Sequence, residues 1–393
     1  MPRRRSPPRL YFDQTRQQWA VRDGSAFVRT GCGKDDRGEA EKILAAYIVE
    51  KHAPEPANDP LIADVMNVYA TEATTAPTIR NKRRTYEIHP FCAVSVPRFQ
   101  QSPKNKDDGT LMRLASYKLH GRPSFGVVVG EGIVDLRSRL SRYATLIEVF
   151  RAQALDQAKA AAAGVRPDAP LAEAELLPPL AAPEKILCVG INYANRGQDY
   201  NLSENPKYPS MFYRAPNSLV GHGQNLIRPK VSEQLDYEGE IAMVIGRECK
   251  RVPKERALEV IAGLTLCNEG TVRDWLRHGQ FNVTQGKNFD SSGSIGPWIE
   301  TEMELTKPLH LVVRKNGEVT QDDTTANMVY SFADLIAYIT TFMTLKPGDI
   351  VVTGTPVKKG AKADPPVWLK PGDTIEVECP QIGVLRNSVA DEA

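Results

Sequence analysis

Three carboxylates spaced two residues apart constrain the fold of this chain more than any other feature. Asp236, Glu238 and Glu240 lie in the stretch Leu235–Arg247, which has the sequence LDYEGEIAMVIGR. Residues two apart point to the same face of a β-strand, and Ile241–Ile245 is apolar at every position, which is typical of a strand buried on both faces. The stretch therefore predicts one strand that carries several carboxylates on one face at the edge of a core.

Carboxylates in such a position need a partner. An unpaired buried charge costs several kcal/mol or raises the pKa of the group strongly. Mg²⁺ and Mn²⁺ prefer oxygen ligands and remove that cost, so the spacing points to a hard divalent cation. The alternative is a solvated strand end whose charges face water.

The composition is that of a globular protein with more than one domain. The chain has 393 residues, of which 41% are hydrophobic and 25% charged, and its formal net charge is +2. This length predicts at least two domains, and the small net charge gives no general signal for nucleic acid or acidic substrates. Residues 1–111 carry 18 Lys and Arg against 14 Asp and Glu, which is the sign expected of a basic N-terminal module.

The sequence gives no signal for a zinc site, a disulfide framework or a membrane anchor. The six cysteines form no CxxC pair, and the six histidines form no HxxxH or HExxH motif. The basic start MPRRRSPPRL is followed neither by an apolar segment of signal-peptide type nor by a membrane-spanning run. We therefore expect a reducing, cytoplasmic setting and no membrane contact.

The first hundred residues predict a small α/β extension. Two β-prone runs flank Asp23-Gly24, a strong hairpin signal, and helices are predicted at Gly38–His52 and Pro60–Ala73. The motifs WAVRDG, EAEKILAAYI and DPLIADVMNVY resemble the N-terminal arm of phage-type tyrosine integrases, and the pattern is lost after Ala76. We interpret residues 1–98 as a truncated integrase-like remnant, with nucleic-acid contact through this segment as an alternative to a solvated surface.

A polar stretch separates this segment from the rest of the chain. Residues 99–111 are almost without apolar side chains and predict a linker. Beyond it we expect an N-terminal subdomain at 112–180 and a metal-binding catalytic domain at 181–393. Met112 opens the new pattern, and we expect the native product to begin there.

Strands dominate after Met112. Turns are predicted at Gly130-Glu131-Gly132 and at Asn316-Gly317, the strongest short hairpin signal in the chain. Helices are predicted at Ala144–Arg151, Ala152–Ala163 and Phe332–Leu345. Short helices among many strands predict the α+β class with a β-rich, mixed and rolled sheet.

Four motifs in a fixed order add a family resemblance. They are VGINYANRGQDY (189–200), LDYEGE (235–240), CNEGTVRDW (267–275) with QGKNFD (285–290), and VVTGTP (351–356). Together they resemble the fumarylacetoacetate hydrolase family over Met112 to about Val389. The resemblance implies that family's C-terminal fold, a Mg²⁺ or Mn²⁺ cofactor, a small-molecule 2-oxo acid substrate and a homodimer.

The resemblance also assigns the metal ligands and a lysine. It implies that Glu238, Glu240 and Glu269 bind the metal, with Glu269 a longer variant of the Asp found in many members. The alternative for Glu269 is a charge favoured at a helix N-terminus. Lys287 matches a lysine near the developing negative charge, where it acts as an acid or as a charged oxyanion partner. A surface lysine is the alternative.

Further positions are assigned to the substrate and to support. Thr355 matches a position that binds the substrate carboxylate through its hydroxyl and backbone N–H, with a purely structural turn as the alternative. Gly354 and Tyr193 are predicted as further substrate contacts. Arg273 and Asp274 match the family's RD pair and are predicted to support the site without taking part in the chemistry.

Two departures bear on the reaction. Hydrolytic members carry a His–Glu dyad that activates water, and those places hold Arg196 and Asp199 here. A glutamine that serves as an oxyanion donor is replaced by Leu276. Arginine cannot act as a base, so Arg196 is predicted to bind a second substrate carboxylate and Asp199 to act as a base. His222 and His278 are alternative bases.

The resemblance, taken with these two departures, implies a metal-dependent isomerase or hydratase for a small 2-oxo or enol (di)carboxylic acid of aromatic catabolism. The near alternative is an acylpyruvate or fumarylpyruvate C–C hydrolase that uses Asp199 to activate water. An alternative of another class is a DNA-binding remnant fused to a non-catalytic relative.

Overall fold

The structure, a computed structural model, describes residues 9–23, 26–52, 112–196, 205–279, 282–358 and 367–393. The chain divides into two units, one within residues 1–100 and one within 101–393. Several sequence predictions fall outside the described residues, namely the helix at Pro60–Ala73, the linker at 99–111 and the base Asp199.

The N-terminal unit is a three-stranded antiparallel sheet followed by one helix. Its elements are β1 (Arg9–Asp13), β2 (Gln18–Asp23), β3 (Ala26–Gly33) and α1 (Arg37–His52). Asp23 pairs with Ala26 where the hairpin was predicted, and α1 begins one residue before the predicted helix. Both predictions are confirmed.

The second unit consists mainly of strands. They are β4 (Arg113–Leu119), β5 (Arg122–Val129), β6 (Gly132–Asp135), β7 (Ala169–Pro170), β8 (Ala174–Leu176), β9 (Ile186–Gly190), β10 (Ser210–Tyr213), β11 (Leu219–Val220), β12 (Asn225–Arg228), β13 (Leu235–Asp236), β14 (Gly239–Ile245), β15 (Ile261–Asn268), β16 (Thr271–Val272), β17 (Gly293–Glu300), β18 (His310–Lys315), β19 (Glu318–Thr324), β20 (Ile350–Val352), β21 (Thr374–Cys379) and β22 (Gly383–Asp391).

Helices are short in the described part of this unit. The α-helices are α2 (Leu146–Arg151), α3 (Leu155–Ala162), α4 (Thr284–Lys287) and α5 (Phe332–Phe342). Stretches of 3₁₀-helix cover Leu171–Glu173, Pro216–Ser218, Lys254–Val260, Arg273–Arg277 and Thr325–Asn327. Across the ranges given above, no helix combines the length and the apolar character that a bilayer crossing needs.

The strands form two large sheets and one short pair. The larger sheet has 12 strands and runs β10-β9-β20-β14-β15-β17-β4-β5-β6-β7, with β11 paired to β17 and β8 to β4. The second runs β12-β22-β21-β18-β19, and β13 pairs with β16. Parallel pairs β9–β20, β11–β17 and β12–β22 occur among antiparallel ones. The predicted α+β class with a mixed, β-rich sheet is confirmed.

Strand β14 is buried on both faces, as its composition predicted. Ile241 and Met243 belong to a core cluster that also contains side chains of β18, β21 and α5. Ala242 and Val244 belong to a second cluster with side chains of β4, β5 and α2. β14 therefore packs against a different core cluster on each face, and the glutamates at its start lie at the edge of both clusters.

The prediction of one continuous strand over Leu235–Arg247 was wrong. The stretch contains β13 and β14, which belong to different sheets. At the break, the backbone N–H of Glu238 donates to the side-chain oxygen of Asn268 at 2.9 Å. Its carbonyl accepts from the N–H of Glu269 at 2.7 Å. A side-chain partner replaces the strand ladder here. The two-residue spacing therefore does not place Asp236 on the same strand face as Glu240.

The turns predicted from short sequence motifs are confirmed. β18 and β19 join at Asn316-Gly317, whose φ angles are 53° and 84°, as the two-residue type I′ hairpin requires. β5 and β6 pair across Gly130-Glu131. Helix α5 begins after Ser331, which forms a reciprocal capping box with Asp334.

Candidate functional site

One cavity of about 220 Å³ brings together most of the predicted site residues. Those that line it are Arg196, Glu238, Glu240, Glu269, Lys287 and Thr355. Much of the remaining wall is apolar and includes Val189, Ile191, Met211, Phe212, Leu276 and Val283. The cavity thus combines a dense set of charges with a largely apolar wall.

Neighbouring strands place the three glutamates. Glu238 lies in the break before β14, Glu240 lies on β14, and Glu269 directly follows β15, the antiparallel neighbour of β14. They are only 3%, 1% and 2% exposed, so the alternative of a solvated strand end whose charges face water is wrong. Glu269 precedes strand β16 rather than a helix, so the helix N-terminus alternative is wrong as well.

Gly239 separates two of the glutamates because the sheets approach closely there. A Cβ atom at this position would lie 2.2 Å from Cγ2 of Val313 on β18. Any side chain would push the two sheets apart, so glycine is needed between Glu238 and Glu240.

Glu238 is surrounded by cations. Its Oε1 accepts from Nη2 of Arg196 at 2.7 Å and from Nη2 of Arg273 at 2.8 Å. Its Oε2 accepts from the Thr271 hydroxyl at 2.8 Å and from Nζ of Lys287. Burial alone would raise the pKa of Glu238, but Arg273, Lys287 and Arg196 outweigh it and hold that pKa well below its ordinary value. Glu238 is therefore ionised.

The buried carboxyl groups of Glu240 and Glu269 have fewer positively charged partners than Glu238. Glu240 Oε2 accepts from the backbone N–H of Gly354 at 2.5 Å. Glu269 accepts from Nζ of Lys287 at 3.1 Å and lies 3.5 Å from Nη1 of Arg214. The pKa of Glu240 is raised well above its ordinary value by burial and then by the neighbouring carboxylates. Burial also raises the pKa of Glu269, although Lys287 and Arg214 oppose it.

The donor set fits a hard divalent cation. All three side chains offer carboxylate oxygens, and positive charge between Glu240 and Glu269 would relieve the repulsion that raises the pKa of Glu240. Within the ranges that the structure describes, no three His, Cys, Asp or Glu side chains already form a metal-holding group. A cation bound here would therefore compete with the Lys287 ammonium for oxygens of Glu238 and Glu269.

Lys287 is part of the cavity wall and not a surface residue. It ends helix α4 and is 6% exposed, and its Nζ lies 5.1 Å from the centre of the Phe212 ring. Burial would lower its pKa, but Glu238 and Glu269 outweigh burial and raise it. The side chain is therefore an ammonium group at neutral pH.

A second charge network supports the first from outside the cavity. Asp236 accepts from Nζ of Lys358 and, at 2.8 Å, from Nε of Arg273, which also holds Glu238. Burial lowers the pKa of Lys358 to about 8, against the opposing effect of Asp236. The sequence did not reveal Lys358, because Lys358-Lys359 after a turn is typical of a solvated surface.

Lys358→Met is expected to lower the free energy of unfolding by about 3 kcal/mol, because it leaves the buried Asp236 carboxylate with one cation fewer. Urea unfolding monitored by circular dichroism measures this loss. Lys254→Met is the control, because that lysine is 58% exposed and its loss should cost under about 0.5 kcal/mol. Equal effects of the two substitutions would contradict a supporting role for the buried network.

Several predicted residues do not line the cavity. Tyr193 is fully buried, and its hydroxyl has no hydrogen-bond partner among the described residues. Gly354 has a φ of +100°, and a Cβ there would lie 2.7 Å from Cβ of Asn192, so glycine is required for the turn. Its backbone N–H donates a hydrogen bond to Glu240. Substrate contact by Tyr193 and Gly354 stays a prediction.

The histidines offered as alternative bases also lie elsewhere. His222 Nδ1 accepts from the backbone N–H of Arg386 at 3.1 Å. His278 is exposed and contacts Trp275, with ring centres 4.3 Å apart and the ring planes tilted by 44°. Neither lines the cavity, so this suggestion receives no support from their positions.

Sequence reasoning missed buried polar groups that hold the site. Arg214 is 3% exposed and donates to the carbonyl of Gly270 at 2.7 Å. Its one signal was a lone charge in the apolar run MFYRAP. Gln321 is fully buried beside Thr355, and no local pattern distinguishes it from other polar residues of a hairpin.

Comparisons with known proteins agree with the motifs. The family model described as fumarylacetoacetate (FAA) hydrolase C-terminal matches residues 185–390. The mitochondrial oxaloacetate tautomerase Fahd2a of Rattus norvegicus is 35% identical over 266 residues, which are 66% of this chain and 85% of that protein.

Solved structures are similar over a larger share of the chain. A fumarylacetoacetate hydrolase from Exiguobacterium antarcticum has a TM-score of 0.60 at 30% identity and covers 72% of this chain and 100% of its own. A 2-hydroxyhepta-2,4-diene-1,7-dioate isomerase from Mycobacterium marinum has a TM-score of 0.54 at 28% identity, with coverages of 72% and 99%. These comparisons do not support the integrase-like interpretation of residues 1–98.

Proposed function

Because the chain is an enzyme of the fumarylacetoacetate hydrolase family, we propose that it is a metal-dependent isomerase that moves a proton within a small 2-oxo dicarboxylic acid. The observation that carries this proposal is the place of Arg196. It lines the cavity and donates to Glu238 at 2.7 Å, at the position where a water-activating histidine would mark a hydrolase.

Isomerisation suits the cavity better than hydrolysis. Cleavage of a C–C bond by water needs a base that activates the water, and a guanidinium cannot serve as one. Among the described residues that line the cavity there is no histidine, and Leu276 offers no hydrogen-bond donor. Moving a proton between atoms of one substrate consumes no water and needs only a group that takes the proton and returns it, which is the role predicted for Asp199. The rat tautomerase and the mycobacterial isomerase are named for reactions of this kind.

The charges favour an anionic substrate. Glu238, Glu240 and Glu269 would hold Mg²⁺ or Mn²⁺, which would supply positive charge for the oxygen of an enolate. Lys287 remains an ammonium group and donates to the same developing charge. Arg196, which also donates to Glu238, adds positive charge that favours a second carboxylate, and Met211 and Phe212 supply apolar wall.

The runner-up is C–C hydrolysis of an acylpyruvate with Asp199 as the base. Asp199 lies outside the described residues, and its role stays a prediction. The two functions differ in products, because hydrolysis releases two acids and isomerisation only one.

With Mg²⁺ present, the protein is expected to accelerate the keto–enol interconversion of oxaloacetate, followed as loss of enol absorbance, and to leave acylpyruvates uncleaved. Arg196→Leu should raise KM for oxaloacetate by about 10- to 100-fold, the equivalent of one charge-assisted hydrogen bond. KM for a 2-oxo monocarboxylate should rise less, because such a substrate lacks the second carboxylate and is affected only through the lost contact between Arg196 and Glu238.

Arg386→Leu serves as the control, because Arg386 is 60% exposed and does not line the cavity. It should leave both KM values unchanged. Release of pyruvate from acylpyruvates faster than oxaloacetate is tautomerised would overturn the isomerase proposal in favour of the hydrolase.

A further inference from the structure

Gln321 links the glutamate strand to the turn that follows β20. It lies on β19 and is fully buried. Its Oε1 accepts from the backbone N–H of Gly239 at 3.2 Å. Its Nε2 donates to Oγ1 of Thr355 at 2.8 Å and to the carbonyl of Pro356 at 2.6 Å. Three of the four hydrogen bonds that an amide can make are therefore used on two separate segments.

Both segments belong to the cavity. Gly239 lies between Glu238 and Glu240, so the Gln321 acceptor fixes the backbone between two of the carboxylates. The turn side holds Thr355, which lines the cavity. The same turn supplies the Gly354 N–H that Glu240 accepts at 2.5 Å.

The contacts of Gln321 also decide which way the Thr355 hydroxyl points. A hydroxyl has one proton to donate, and that of Thr355 goes to the carbonyl of Gly239 at 3.0 Å. The Nε2 of Gln321 approaches the oxygen as a donor, so the proton cannot turn toward it. This geometry leaves the hydroxyl no proton for a substrate carboxylate and transfers that predicted role to the backbone N–H of Thr355.

We propose that Gln321 is a positioning residue that fixes the turn at Gly354–Thr355 against Glu240, and through it the place of the substrate carboxylate. This inference depends on the proposed function, because it concerns how the substrate is presented to the same cavity. Its side chain contacts no reacting atom. It acts through the two backbone segments that it joins.

The test compares three variants of the full chain. Gln321→Leu removes both ends of the link. Gln321→Glu keeps the acceptor for Gly239 but replaces the donor to Thr355 and Pro356. Asn387→Leu is the matched control, a buried amide on β22 that donates to the carbonyls of Gly221 and Gln224 at 2.8 Å each, away from the cavity.

Both Gln321 variants are expected to raise the dissociation constant of oxalate, measured calorimetrically with Mn²⁺, and KM for oxaloacetate by about 10- to 100-fold. Asn387→Leu should lower thermal stability to a similar degree as Gln321→Leu and leave both constants within about twofold. If Gln321 were only a structural amide, its variants would lose thermal stability but keep the oxalate dissociation constant and KM within about twofold, as Asn387→Leu does. If Gln321→Leu does not fold, Gln321→Glu gives the same comparison.

The outcomes separate the two proposals. If wild-type protein binds oxalate and tautomerises oxaloacetate while the Gln321 variants match Asn387→Leu, the positioning role is overturned and the function stands. If wild-type protein with Mn²⁺ does neither, the proposed function is wrong and the role of Gln321 falls with it.

Discussion

Glu240→Gln is expected to abolish Mn²⁺ binding, to lower kcat/KM at least about 100-fold, and to make the metal-free protein more stable. Loss of a residue that merely supports a metal ligand costs about 10- to 100-fold, and a proposed ligand should cost at least as much. The glutamine keeps the shape of the side chain and an oxygen for the Gly354 N–H. What it removes is one buried negative charge beside Glu269 and Glu238.

The gain in stability follows from the raised pKa of Glu240. Its folded-state pKa lies well above the ordinary value of 4.5. A carboxyl group of this kind contributes stability that is fully present below the unfolded pKa and is lost as the pH rises toward the folded pKa. The metal-free wild type should therefore lose stability as the pH rises above about 4.5. Glu240→Gln should lose less, and scanning calorimetry across pH without metal measures the difference.

Added metal should stabilise the wild type but not Glu240→Gln. Binding requires ionised carboxylates, so the increase in Tm that Mn²⁺ gives the wild type should grow with pH, whereas Glu240→Gln should show no increase. Glu300→Gln is the matched control. Glu300 is equally buried and its pKa is raised by burial, but it pairs with Arg113 outside the cavity. A Glu240→Gln protein that binds Mn²⁺ and turns over as Glu300→Gln does would contradict the metal site.

The order of motifs predicted more of the site than the spacing of charges did. Spacing within LDYEGE suggested one strand with three carboxylates on one face, and the structure breaks that strand at Glu238. The resemblance added Glu269 and Lys287 from distant motifs, and both line the same cavity as Glu238 and Glu240. Their roles stay predictions, but their meeting point could not be deduced from periodicity, because it depends on which strands are neighbours.

The partners that hold those side chains were not predictable from the sequence. Arg214, Gln321 and Lys358 act through contacts with residues 34 to 122 positions away in the chain. Gln321, on the five-stranded sheet, contacts Gly239 on the 12-stranded sheet. Lys358 contacts Asp236 on β13 of the short pair, and Arg214 contacts Glu269 after β15. No local pattern carries that information. Turns differ, because Asn316-Gly317 fixes its own φ angles and could be identified from two residues.

Lys287→Met is expected to lower kcat for oxaloacetate by about 100- to 1,000-fold with little change in KM, which is the usual cost of removing one donor from a developing oxyanion. The pKa of Lys287 is raised because Glu238 and Glu269 outweigh burial, so the side chain stays charged throughout the neutral range. It can then donate a hydrogen bond but cannot accept a proton as a base. Lys287→Arg should keep part of the rate because it keeps the charge.

The pH dependence of kcat checks the charge state. A lysine base would give a rate that rises as the lysine loses its proton, whereas a charged donor gives a rate that falls only when it does. With a folded pKa above the ordinary 10.5, no fall due to Lys287 should appear below about pH 10. A rate that rises through an alkaline pKa in the wild type and not in Lys287→Met would show that Lys287 is the base.

Metal affinity separates Lys287 from the glutamates. Its ammonium shares oxygens of Glu238 and Glu269 with any bound cation, so Lys287→Met removes a competitor, and Mn²⁺ should bind at least as tightly as to the wild type. Glu240→Gln removes a proposed ligand and should bind none. Lys185→Met is the control, a largely buried lysine paired with Asp349 outside the cavity, and should change neither kcat nor affinity. Loss of Mn²⁺ binding in Lys287→Met would mean that the lysine holds the carboxylates together instead of competing for them.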